Sequence, residues 1–177
     1  MDAIEALKNR RSCRAFTEEQ VKKEDLETIL ACGLNAPSGS NKQDTKIVVV
    51  QDERKVKLLS ELNAKVTNAK INPFYGAKTL CLVLIPKDSG FNEEAYQLNP
   101  VKNGSLVIGA MQTAAFSIGV GSCWINCCKE MLELPEGQAI LHELSLDDYQ
   151  GVGTCILGYP AKTIPAKKIK EDRVIWY

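Results

Sequence analysis

The sequence predicts a layered α/β fold, a central sheet flanked by helices, and three observations carry that prediction. Helical and strand patterns alternate along the chain, as they do where helices cover the faces of a sheet. Short runs such as KIVVV, TLCLVLI and VGTCILGYP are β-branched and apolar, as buried strands are. Finally, 177 residues, 45% hydrophobic and 25% charged, suit one globular domain over 1–177 with a sizeable core.

Residues 2–9 form a short helix capped by Asp2, with Ile4 and Leu7 on one face. The segment RRSCR follows at its C-terminal end. KEDLETILACGLNA is a second helix, because Leu26, Ile29, Leu30 and Leu34 fall at helical spacing and acids fill its first turn. It stops at APSGSN, a run of turn formers. After the strand KIVVV, a helix over 52–69 is capped by Asp52 and turns Val56, Leu59, Leu62 and Val66 inward. NPFYGA is a loop, and TLCLVLI the next strand. Residues 87–102 show little periodicity and read as a mobile surface segment, a candidate lid. Residues 103–119 carry apolar and small side chains on nearly every face, predicting a helix in the core or at a subunit interface. GVGSCWI is a tight turn into an extended piece. KEMLELPEGQAILHEL is helical but interrupted at Pro135, and VGTCILGYP is the last strand. The basic tail 161–177 ends in VIWY, which predicts packing on its own domain or on a partner chain, as an added strand.

The formal net charge is zero, which argues against a nucleic-acid-binding protein. No apolar run is long enough for a membrane span, and no signal peptide is expected. The cysteine count, seven, is odd, and several sit in apolar runs. The expectation is a cytoplasmic protein with reduced, mostly buried thiols. SCWINCC lacks a second cysteine pair or a nearby histidine at ligand spacing, so no metal site is expected.

Absences narrow the chemistry. The sequence has one histidine, His142, no nucleophile elbow, no P-loop and no complete dinucleotide fingerprint. No side chain stands out as a strong acid–base catalyst. What remains is a set of polar, small-residue loops on an apolar scaffold. That suits an enzyme whose cofactor carries the reaction, and equally a plain binding module. The arginine cluster on its own fits an anion seat and a cation-bearing helix end about equally well.

RRSCRAF, APSGSNKQ, NPFYGA, GVGSCWI and LGYPAKTIPAKK, in that order, resemble the FMN-dependent nitroreductase family over nearly the whole chain. The resemblance implies an α+β, three-layer fold with a central mixed sheet. It also implies an intertwined homodimer with flavin at the interface and a tail, about 161–177, that embraces the partner.

By the same resemblance, Arg10 and Ser12 are expected around the phosphate and the pyrimidine edge of FMN, Arg11 either joins that seat or faces solvent, and Arg14 is expected near flavin N1. Pro37, Ser38, Gly39 and Asn41 match a second flavin loop, given by the neighbouring subunit. Ser122, Cys123 and Trp124 match the stretch beside the isoalloxazine, and Lys168 and Lys170 match basic residues that reach the phosphate, although Lys167 could replace either. No residue is expected to act as a catalytic acid or base. Two departures stand out: Asp44 and Thr45 replace a common Pro-Trp pair, and Ala110 stands where relatives often carry Asn. The implied activity is hydride transfer from NADH or NADPH through FMN to an electron-poor acceptor, a nitroaromatic or a quinone, by a ping-pong mechanism. The rival is a non-catalytic flavin-binding or storage protein on the same fold.

Overall fold

Strand direction follows from how often each connection crosses the sheet. In the computed structural model, which describes residues 2–88, 90 and 97–177, four strands form one sheet in the order β1-β2-β4-β3. They are β1 (Lys46–Val50), β2 (Thr79–Pro86), β3 (Gly121–Ile125) and β4 (Tyr149–Gly158). All three neighbouring pairs are antiparallel, as in an α+β fold. Among the described residues a single helix, α4 (Asn99–Ser117), lies between β2 and β3, and these two strands run in the same direction on either side of β4. The β1–β2 link adds a return loop, 68–78, to helix α3 (Glu53–Thr67), and the β3–β4 link has two helices, α5 (Cys128–Glu133) and α6 (Pro135–Glu143). Two traverses reverse the strand. Alternation of helix and strand alone does not reveal this. The parallel element is a single bridge, Ser12 to Ser122.

Two apolar layers lie against the sheet. Alternate residues of β2 serve both, as the two-residue period of a strand requires. Leu80, Leu82 and Leu84 join Leu59, Leu62, Phe74, Met131 and Leu141 on one face. Cys81 and Val83 join Leu26, Ile29, Val107, Ile108 and Met111 on the other, against α2 (Lys23–Leu34) and α4. Asp52 caps α3 as expected, accepting from Lys55 N at 2.9 Å. Leu59 and Leu62 are buried, with Val56 and Val66 packed beside them.

Several boundaries differ from the sequence reading. Helix α4 begins at Asn99, because Pro100 sits in its first turn, where a missing N–H costs nothing. The predicted mobile segment 87–102 therefore includes a helix start, and its residues 89 and 91–96 lie outside the described residues. In α1 (Ala3–Asn9) Ala6 is the buried residue, whereas Ile4 and Leu7 face outward, Leu7 at 63% exposure. Leu34 is exposed in the same way, as is Leu106 of α4 at 48%. The tail 161–177 forms no helix or strand, and Trp176 is 92% exposed, so it does not pack on its own domain. Among the described residues no helix is long and apolar enough to cross a membrane.

Candidate functional site

Helix α1 ends where its carbonyls run out of amide partners, and the arginine segment begins there. Arg11 turns back on that end: its Nη1 donates to the carbonyls of Lys8 at 2.8 Å and Arg10 at 2.7 Å. Arg10 is half-buried, and its Nη1 is buried with no partner. The chain then runs along the outer edge of β3. Ser12 bridges Ser122, and Cys13 N donates to Ser122 O at 2.8 Å. Further on, Thr17 N donates to Tyr159 O and Ala161 N to Ala15 O, which fastens the segment to the exit of β4. Glycine makes this approach possible. A Cβ at Gly121 would lie 2.8 Å from Cys13 Sγ, and one at Gly158 would lie 2.7 Å from the Phe16 ring. Burial pushes the Cys13 thiol up, so it is no ready nucleophile.

Arg14 emerges from this clamp into a cleft of about 270 Å³ lined by Cys123, Trp124, Asn126, Asn63 and Tyr75. Its guanidinium carbon stands 5.8 Å from the centre of the Tyr75 ring. Trp124 lies over Gly153, where a Cβ would be 2.7 Å from the indole nitrogen, and that nitrogen is buried without a partner. The hydroxyl of Ser122 is likewise buried and unpartnered.

The loop after α2 is backbone-strained. Ser40, Asn41 and Gln43 all have φ near +50°, at 53°, 53° and 50°. Side chains hold it in place: Ser38 Oγ accepts from Gln43 N at 3.1 Å and Asn41 Oδ1 from Gln43 Nε2 at 2.9 Å. Gly39 N donates to Asn103 Oδ1 of α4 at 3.0 Å. Pro37 shares with Arg10 a groove of about 780 Å³ between α1, α2 and α4. Ser38 lines a smaller cleft with Thr45 and Asn103. Asp44 is half-buried, and its Oδ1 is buried without a partner.

The expected site residues thus fall into two lobes joined by the arginine segment. Arg10 and Pro37 share the larger groove, and Ser38, Gly39 and Asn41 form the adjoining loop. Arg14, Cys123 and Trp124 share the cleft at the end of β3. Lys168 and Lys170 stand exposed on the tail and line neither the larger groove nor the cleft at β3. Sequence reasoning missed Asn63 and Tyr75. Asn63 is fully buried, donates from Nδ2 to Asn126 O at 2.9 Å and keeps an unpartnered Oδ1. Its signal was an amide at a core position of an amphipathic helix. All seven cysteines are free, and among the described residues no cluster could hold a metal ion.

Known proteins resemble this chain in sequence and in fold. Over 154 residues the chain is 26% identical to an Archaeoglobus fulgidus protein provisionally named NADH dehydrogenase/NAD(P)H nitroreductase, covering 82% of this chain and 84% of that one. It is 28% identical over 160 residues to the FMN reductase [NAD(P)H] of Bacillus subtilis, covering 76% of this chain but only 61% of that protein. A nitroreductase with bound FMN from Bacteroides fragilis has the same fold, with a TM-score of 0.85, 25% identity, and coverage of 100% of this chain and 99% of the other. The nitroreductase family model matches residues 7–159, from the end of α1 to the exit of β4, and the chain belongs to that family.

Proposed function

We propose that this protein is an FMN-dependent NAD(P)H oxidoreductase that works as a homodimer. The observation that carries the reading is the arginine segment clamped along β3, where buried polar atoms of Arg10, Ser122 and Trp124 lack partners. Buried donors without partners are costly, and a bound anion and a polar ring edge would satisfy them. The family membership and the FMN-bound fold relative support FMN as that ligand.

In this reading Arg10 and Ser12 hold the phosphate, joined by Lys168 and Lys170 from the tail. Arginine suits the task because its planar fork donates paired, charge-assisted hydrogen bonds. Arg11 is engaged with the end of α1, and its part is to fix the direction of the segment. Arg14 keeps a positive charge at the cleft, where it favours the reduced, more negative cofactor. Ser122, Cys123 and Trp124 wall the ring, while Pro37, Ser38, Gly39 and Asn41 approach from the second subunit. When bound, FMN supplies hydride chemistry between NADH or NADPH and an electron-poor acceptor such as a nitroaromatic or a quinone. The chain's own work is binding, orientation and charge, with no side-chain base.

The homodimer has its own support. Leu7 and Leu106 line the larger groove and are exposed, Ile4 and Leu34 are exposed on α1 and α2, and the tail carries Val174, Ile175 and Trp176 into solvent. A second copy would cover both surfaces.

Asp44 favours a second reading, a flavin-binding protein without turnover, because a carboxylate replaces an apolar pair beside the second loop. One experiment separates the two. Purified protein is titrated with FMN and then, anaerobically, with NADH and NADPH. The expected outcome is a bound-flavin spectrum that bleaches with at least one donor and returns on adding a quinone or nitroaromatic. Bound flavin that neither donor bleaches would overturn the nicotinamide-dependent reading and leave the non-catalytic one or a different donor, and no flavin binding would overturn both readings.

A further inference from the structure

We propose that Tyr75 is a positioning residue for Arg14: its ring holds the guanidinium at the cleft beside β3, so that the positive charge is in place before FMN binds. The inference rests on the FMN reading and adds to it a residue whose part the flavin motifs do not specify.

Arg14 is exposed, and among the described residues no hydrogen bond or ion pair fixes its side chain. The Tyr75 ring is the partner it meets among the described residues, with the guanidinium carbon 5.8 Å from the centroid, inside the range of a cation–π contact. Without that contact, a long side chain would sample solvent and lose its freedom only on meeting the ligand.

The backbone at Tyr75 is arranged for this. Its φ is +52°, a left-handed conformation that an aromatic side chain rarely adopts. A dedicated turn holds it there. Asn72 Oδ1 accepts from Phe74 N at 2.8 Å and from Ser60 Oγ at 2.9 Å, and Tyr75 N donates to Asn72 O at 3.1 Å. Phe74 is fully buried and anchors the turn in the core. Asparagine or glycine would suit this φ better, so the strained position keeps an aromatic at a local cost. Strain held by its surroundings marks functional positions, and here the ring ends beside Arg14 in the cleft with Cys123 and Trp124.

The test uses the full chain and Tyr75→Phe, Tyr75→Asn, Arg14→Gln and the double variant Tyr75→Asn/Arg14→Gln. FMN affinity is read by quenching of flavin fluorescence. The proton shift of the Arg14 side chain is read by NMR without FMN. Tyr75→Asn should keep or raise the urea midpoint, because the turn is relieved. It should lose the ring-current shift at Arg14 and weaken FMN binding about two- to fivefold. Tyr75→Phe should retain both, and in the Arg14→Gln background Tyr75→Asn should weaken binding no further. Unchanged FMN affinity in Tyr75→Asn, or an equal loss in the Arg14→Gln background, would overturn the inference while leaving the FMN reading intact. Failure of the wild-type chain to bind FMN would overturn both.

Discussion

The two faces of the sheet are built alike near the strands and differently further out. Against one face, α3, α5 and α6 close over Phe74, Leu59, Met131, Leu132 and Leu141, all of them buried. Against the other, α2 and α4 close over Ile29, Ile108 and Met111, but α1 and the outer side of α4 still present Ile4, Leu7 and Leu106 to solvent. The small residues of α4, Ser105, Gly109, Ala110 and Thr113, floor the groove between them. Helix α4 thus meets the sequence expectation of a core helix on its inner side and leaves apolar side chains exposed on its outer side. The covered face supplies stability, and the open face is the one the proposed homodimer would use.

The sharpest way to break this comparison is to cut one large side chain from each face. Phe74→Ala should cost about 3–5 kcal/mol, since the ring is fully buried and its loss leaves a cavity. The loss, read by urea denaturation, should be the same at every protein concentration. Leu106→Glu should barely change the intrinsic stability of the subunit, yet shift the midpoint at low protein concentration and the sedimentation behaviour toward monomer. A concentration-independent loss at Leu106 would make the open face part of the subunit's own core.

Alkaline pH sharpens the comparison, because buried thiols lie on both sides, and Cys81 and Cys128 offer one from each. Burial pushes Cys81, on the α2–α4 side, and Cys128, on the α3–α5–α6 side, each up from 9.0 to about 12. Both stay protonated in the folded chain while the unfolded chain ionises above 9. Their stabilising effect is therefore complete below pH 9 and is lost as the pH climbs toward 12. Each should contribute roughly 1 kcal/mol of loss per pH unit in that window. Urea midpoints between pH 8 and 11 should show equal shares removed by Cys81→Ala and Cys128→Ala. A smaller share for Cys81 would mean that water reaches the sheet from the open side.

The clamp along β3 is the next point of attack. Gly121→Ala would place a methyl 2.8 Å from Cys13 Sγ and 3.1 Å from Gly158 O. Neither neighbour can retreat freely, so about 1–3 kcal/mol of overpacking is expected, with weaker FMN binding. The Gly76→Ala variant is the contrast: its Cβ would meet nothing within 4 Å, but its φ of +80° is strained for any side chain. It should destabilise through the backbone and leave the clamp intact, as read from the Cys13 amide by hydrogen exchange.

How much of this was legible in the sequence depended on whether the cause was local. The apolar runs KIVVV and TLCLVLI, the caps at Asp2 and Asp52 and the break at Pro135 are local, and each appears in the structure. Strand direction depended on long-range returns such as 68–78, which no local pattern encodes. The arginine cluster was visible, but its division of labour was not. Arg11 serves a helix end and Arg14 meets Tyr75 from a loop about sixty residues away. Nor could spacing tell that Ile4 and Leu7 of α1 face outward, because a helical stripe does not say which neighbour covers it.

The smallest expected effect tests the same contrast at two helix starts. Asp52 accepts from Lys55 N and Asp2 from Ile4 N, both at 2.9 Å. The caps are chemically alike, but α3 has 15 residues, four of them buried, whereas α1 has 7 with only Ala6 buried. A cap contributes to global stability only where its helix must unfold with the core. Asp52→Ala should therefore lower stability by about 1 kcal/mol. Asp2→Ala should leave the urea midpoint of the subunit nearly unchanged and instead speed amide exchange through residues 4–9. Exchange there should slow again at protein concentrations where two copies associate, because the open face is then covered. Equal losses from the two variants in dilute protein would show that α1 is part of the subunit's core, and that the two faces differ less than their exposed side chains imply.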